Sequence, residues 1–211
     1  MQSWDRRQST VSLIGAIAFF TVVFIMIGHL QVSLWLLPPA FLVSCIFYYL
    51  NMRRYFLRSR WIKEPFPEKQ REILLRSIPF YRKLSEKEKA RFEQSVTIFL
   101  RENRITGIGT ELDEETRVLV AASAVILIFG RPEWEYPRLP EILIYPRSFD
   151  EEYEFSPQRE DRILAGMVVP QNGIVISRQD LMRAFRHSEE AYHVGLHEFA
   201  HALDFTDGVA E

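Results

Sequence analysis

Five residues near the C-terminal end, His197-Glu198-Phe199-Ala200-His201, carry two imidazoles and a carboxylate in the pattern H-E-x-x-H. On a helix, positions i and i+4 lie one turn apart on one face, so His197 and His201 can aim at a single metal ion. Glu198 stands about 100° around the helix from His197, beside that ion, where it can accept a proton from a metal-bound water. Zn²⁺ takes imidazole nitrogen readily and in catalytic sites keeps one position open for water. The ion acidifies the water and polarises a carbonyl, while the carboxylate shuttles the proton. That chemistry is metal-assisted hydrolysis of a peptide bond, with His197 and His201 as ligands and Glu198 as general base.

The helix that must present these groups is expected from Glu189 to Phe205. Ser188 is its N-cap, and Glu189 and Glu190 in the first turn suit the helix dipole. Val194, Leu196, Phe199, Ala202 and Leu203 put apolar residues on several sides, the mark of a buried helix. Two His and a Glu are costly inside such a helix unless a metal partners them. The competing reading, a surface helix with both His in water, fits those apolar neighbours less well.

A catalytic zinc takes a third protein ligand. The longer pattern H-E-x-x-H-x-x-G-x-x-H would place Gly at 204 and His at 207, where this chain has Asp204 and Asp207. Asp207 is a candidate ligand, but Asp204 suits poorly a sharp turn that favours Gly. His193 shares the helical stripe, yet three ligands at i, i+4 and i+8 rarely converge on one ion, so it reads as packing or as a residue that supports the ligands from behind. His187 falls in a loop, His29 in an apolar segment's turn, and Glu211 at a frayed end.

The elements before the helix give an α+β plan. A linker, Glu64-Pro65-Phe66-Pro67, leads to a helix over Glu68–Ser77 that Pro79 ends. Ser85-Glu86-Lys87-Glu88 is a capping box, and Phe92, Val96, Phe99 and Leu100 form the core stripe of the helix behind it. Asn103–Gly109 breaks the pattern. Asp113 caps a buried helix running to a C-cap at Gly130. Strands follow at Ile142–Tyr145, Ile163–Val169 and Ile174–Ser177, with a turn at Gln171-Asn172-Gly173. Asp150–Glu154 is a solvated acidic loop. Ser177-x-x-Asp180 starts a helix reaching Phe185, and the small mixed sheet precedes the H-E-x-x-H helix.

The first 63 residues differ in kind. No charged residue lies between Arg7 and Arg53, and two apolar runs, Val11–Gly28 and Leu34–Leu50, approach the roughly 20 residues needed to span a bilayer. His29, Gln31 and Ser33 form the turn of a transmembrane hairpin, and Pro38 and Pro39 fall near the start of the second span. Arg6 and Arg7 precede the hairpin, and Arg53, Arg54, Arg58, Arg60 and Lys63 follow it. Both ends are therefore expected in the cytoplasm, at a cell (inner) membrane, with the lipid bilayer as a partner. Residues 64–211 carry 27 Asp/Glu against 19 Lys/Arg, which speaks against a nucleic-acid partner. A single cysteine, Cys45, excludes a disulfide framework and a cysteine-based zinc site.

Three stretches together resemble the Mlc titration factor A family of bacterial zinc-dependent peptidases, over about residues 70–211. They are Phe99–Asp113 leading into Arg117-Val-Leu-Val-Ala-Ala-Ser-Ala, Glu141-Ile-Leu-Ile-Tyr-Pro146, and Val194-Gly-Leu-His-Glu-Phe-Ala-His-Ala-Leu-Asp204. The resemblance implies a zincin-like domain of the gluzincin kind, Zn²⁺ on His197 and His201, Glu198 as general base, and a third ligand from a Glu on a helix beyond residue 211. By that reading the chain is C-terminally truncated, with residues 1–63 a membrane hairpin and 64–211 an incomplete peptidase domain. The function expected is a membrane-anchored zinc metallopeptidase acting on a peptide or protein substrate laid along an edge strand, Ile142–Tyr145 or Ile174–Ser177. The alternative is a non-catalytic tethered protein with a vestigial zinc site that binds a cytoplasmic regulator.

Overall fold

A computed structural model of the chain describes residues 10, 13–15, 17–22, 24, 25, 37–131, 134, 136, 139, 141–147, 166–169, 173–186 and 193–204. Two compact units, Met1–Glu64 and Pro65–Glu211, divide it.

In the first unit the described residues from 13 to 25 are helical, and a second helix runs Leu37–Trp61. Pro38 and Pro39 sit in its first turn, where a missing N–H costs nothing. It continues past the expected end at Leu50, through Arg53, Arg54, Arg58 and Arg60. Phe20 stacks edge-on to Phe41 at 6.0 Å, and a Cβ on Gly15 would lie 4.0 Å from the Phe47 ring, so the two helices run antiparallel. Among the described residues no helix is long and apolar enough to cross a membrane, so the two expected spans find no support there. Leu13, Ile14, Ile17, Phe41, Leu42 and Ile46 all face outward.

The second unit opens with α1 (Glu68–Ser77), the one-turn α2 (Pro79–Arg82) and α3 (Glu86–Glu102). Pro79 does end α1, and it also starts α2. The capping box forms: the Glu88 carboxylate accepts from the Ser85 N–H at 2.9 Å and from its hydroxyl at 2.6 Å. Glu93, on the buried face of α3, accepts from the Tyr81 hydroxyl at 2.5 Å and from Arg71 Nε at 2.8 Å, tying α1 and α2 to α3. Those hydrogen bonds hold its carboxyl below the usual range in spite of burial, the largest influence, which pushes the other way.

After β1 (Ile105–Gly107) comes α4 (Glu114–Ile128), capped by Asp113 through the Thr116 N–H at 2.8 Å. The cap at the other end is Phe129 in a right-handed conformation, not Gly130. Every residue from Val118 to Val125 is buried, and α1, α3, α5 and α6 pack around this helix. The sheet adds β2 (Ile142–Tyr145), β3 (Gly166–Val169) and β4 (Gly173–Ser177) in the order β1-β2-β4-β3. β1, β2 and β4 are parallel; β3 runs antiparallel to β4, pairing Val169 with Gly173. Gly173 takes φ +113° with its α-carbon pressed on the Glu141 backbone, so no side chain fits there. The small mixed sheet and α+β plan agree with the sequence reading. The strands expected as edges do not: Ile142–Tyr145 and Ile174–Ser177 are the central pair, and the edges are β1 and β3. Strand order is set by long-range pairing, which a local apolar run does not encode.

The Ser177 hydroxyl accepts from the Asp180 N–H at 3.2 Å and so starts α5 (Arg178–Arg186) directly at the end of β4. The last described helix is α6 (Val194–Asp204), which packs on α4, α5, β3 and β4. The expected cap at Ser188–Glu190, the Gln171-Asn172 half of the turn, the acidic loop at 150–154 and the start of the strand expected from Ile163 lie outside the described residues, as do His29, His187, Asp207 and Glu211.

Candidate metal centre

α6 begins at Val194, five residues later than expected, because His193 itself caps it. The His193 carbonyl accepts from the His197 N–H at 3.0 Å, and its Nδ1 accepts from the Leu196 N–H at 3.4 Å. That bond places the ring proton on Nε2, which is buried without a partner among the described residues. The ring packs edge-on against Phe185 at 4.3 Å, and burial lowers its pKa. His193 is thus a packing residue, as expected, with a capping role that periodicity did not show.

The position of α6 rests on two contacts. At Gly195 the helix meets α4 so closely that a Cβ would run into the buried Ser123 side chain and lie 3.0 Å from Leu181. Four residues on, Phe199 is fully buried, edge-on to Phe99 at 5.6 Å and to Tyr136 at 5.5 Å. The Tyr136 hydroxyl donates to the Ala124 carbonyl at 2.9 Å, closing the link back to α4. Neither contact was legible as part of the site, since Gly195 and Tyr136 carry no motif.

With these fixed, the H-E-x-x-H side chains divide. His197 and His201 are exposed, their rings 4.5 Å apart and their Nε2 atoms 3.0 Å apart. Glu198 is only 3% exposed. The sequence reading put both imidazoles inside a buried helix; the structure buries the carboxylate and leaves the imidazoles at the surface. Burial pushes the Glu198 carboxyl up to about 7, while burial and then the neighbouring His201 lower the pKa of His197. In a tetrahedral site with Zn–N bonds of about 2.1 Å, two nitrogens lie roughly 3.4 Å apart. The observed pair needs only a few tenths of an ångström to match, and both Nε2 atoms face one another, so the two residues fit a zinc ion. Among the described residues no third His, Cys, Asp or Glu joins them. Asp204 ends the helix, exposed.

The arrangement pairs two exposed imidazoles that can share an ion with a buried carboxyl whose pKa burial raises. A family model of the glucose-regulated metallo-peptidase M90 matches residues 52–211. The chain belongs to that family. The match bears out the resemblance read from the three sequence stretches. An uncharacterized protein of Synechocystis sp. is 30% identical over 153 residues, covering 69% of this chain and 56% of the relative. The chain therefore spans little more than half the length of that curated relative. No solved structure matches it.

Proposed function

We propose that this member of the M90 family is a membrane-anchored zinc metallopeptidase that hydrolyses peptide bonds with Glu198 as general base. The observation that carries this reading is the pair of Nε2 atoms 3.0 Å apart on the exposed face of α6, one residue from a buried glutamate. His197 and His201 would hold the ion. Bound zinc supplies Lewis acidity, lowering the pKa of a coordinated water and polarising the scissile carbonyl. Glu198 takes the proton from the attacking water and delivers it to the leaving amine. Asp207 is the candidate third ligand within this sequence, and the family resemblance implies instead a Glu on a later helix.

The substrate backbone extends along β3, the antiparallel edge that packs on α6, because an edge strand offers unpaired N–H and C=O groups to an extended peptide. Anchoring is supported by the outward apolar residues of the first unit and by the charge-free stretch from Arg7 to Arg53. The basic residues on either side favour cytoplasmic ends at a cell (inner) membrane, with the zinc domain in the cytoplasm.

The test measures zinc content and peptide hydrolysis of the chain beside His201→Ala, Asp207→Ala and Glu198→Gln. About one zinc per chain, lost in His201→Ala, supports the ligand pair, and loss in Asp207→Ala identifies the third ligand. Glu198→Gln should retain zinc and lose at least about a hundredfold in rate; unchanged cleavage removes the role given to Glu198. A chain that holds zinc and cleaves nothing is instead the tethered binder of a cytoplasmic regulator.

A further inference from the structure

Away from the histidine pair, α1, α2, α4 and α5 line a half-open cavity of about 460 Å³. Its walls carry three guanidinium groups, Arg76, Arg82 and Arg186, against one carboxylate, Glu115. Met182 and the buried Phe185 supply apolar surface. Glu115 is already engaged, accepting from Arg76 Nη2 at 2.8 Å. Arg82 is held in place by α1: its Nη1 donates to the Leu75 and Arg76 carbonyls, each at 3.0 Å. Those carbonyls fix the guanidinium without neutralising it. Arg186 is exposed and has no partner among the described residues.

The cavity thus holds an excess of two positive charges, one pinned by backbone and one without a partner among the described residues, next to sulfur and an aromatic ring. Its volume falls in the range of small-molecule sites. Guanidinium groups match the oxygens of carboxylates and phosphates, and the apolar side would accept a hydrocarbon body. We propose that this cavity binds a small amphipathic anion, a phosphate or carboxylate attached to an apolar group. The proposal does not depend on hydrolysis or on the metal. Phe185, which lines the cavity, is also the ring against which His193 packs, so cavity and H-E-x-x-H helix share one side chain.

The test is calorimetric titration of the full chain, kept in solution with a non-ionic detergent, using phenylphosphate as probe. Saturable binding is expected, with inorganic phosphate and phenol each weaker by about tenfold or more, since each offers half of the recognised chemistry. Arg186→Glu and, on another wall, Arg82→Ala should each weaken phenylphosphate by about tenfold or more. Arg183→Glu, a neighbouring exposed charge outside the cavity, should leave it unchanged. No saturation, equal binding of phenol, equal binding of inorganic phosphate, or indifference to both Arg186→Glu and Arg82→Ala would each overturn the proposal. Adding phosphatidylglycerol to the micelles distinguishes the source: competition with the probe means a lipid headgroup, and no competition means a soluble anion.

Discussion

The two faces of α6 are built on opposite terms. On one, Val194, Gly195, Glu198, Phe199 and Ala202 are buried against α4, the sheet and the aromatic pair Phe99 and Tyr136. On the other, His197 and His201 are exposed and hold no place in the core. The stability of the helix comes from the first face, and the proposed metal ligands stand on the second. Glu198 is the one charged group assigned to the chemistry that lies on the packed side. The difference teaches that an imidazole pair can be set by a one-turn spacing alone, whereas a carboxyl whose pKa is raised by burial needs a finished core around it.

Phe199→Ala should break this contrast most. Removing a fully buried ring that meets two others costs about 4 kcal/mol, read as a lowered midpoint in chemical denaturation. If the cost is below about 1 kcal/mol, the aromatic anchor is not what seats α6.

Glu93→Gln sharpens the contrast from outside the site, because it removes a buried carboxylate that engages Arg71 and Tyr81 while leaving α6 untouched. A loss of about 3 kcal/mol is expected near neutral pH. The folded pKa lies below the unfolded one, so the stabilisation is present above the ordinary glutamate range, about 4.3, and is lost as pH falls through the folded value. The stabilities of Glu93→Gln and the parent should converge in acid; a constant gap would contradict the assignment.

Gly195→Ala adds one methyl at the crossing with α4 and should cost about 2 kcal/mol through overpacking. Ser123→Ala in the same chain should recover part of it by removing the nearest atom, the Ser123 hydroxyl oxygen. Purely additive losses in the double variant would mean that the two residues do not meet. His201→Ala should have the smallest effect, within about 0.5 kcal/mol in metal-free protein, since its ring is exposed. A larger loss would show that the imidazole face carries structural energy after all.

What the sequence disclosed follows the range of each interaction. Ser85 with Glu88, Asp113 with Thr116 and Ser177 with Asp180 bond within three residues, and all three caps were legible. The spacing of His197 and His201 is local in the same sense. β1 was not legible, because Ile105-Thr-Gly107 is too short to show alternation and a Gly ends it; parallel pairing with Ile142–Ile144 makes it a strand. The start of α6 was misplaced because the sequence offers a conventional cap at Ser188, whereas the imidazole of His193 fills that place. The burial of Glu198 depends on Ser123, Phe99 and Tyr136, residues 62 or more positions away from it in the chain, and no local pattern carries that information.

The order of the elements along the chain has a consequence for the timing of synthesis. Every surface on which α6 docks, α4, β3, β4 and α5, is encoded before it. With 11 residues it is too short to persist alone in water. The cradle therefore leaves the ribosome before the H-E-x-x-H segment, and the imidazole pair and the buried carboxyl take their places together when that segment docks.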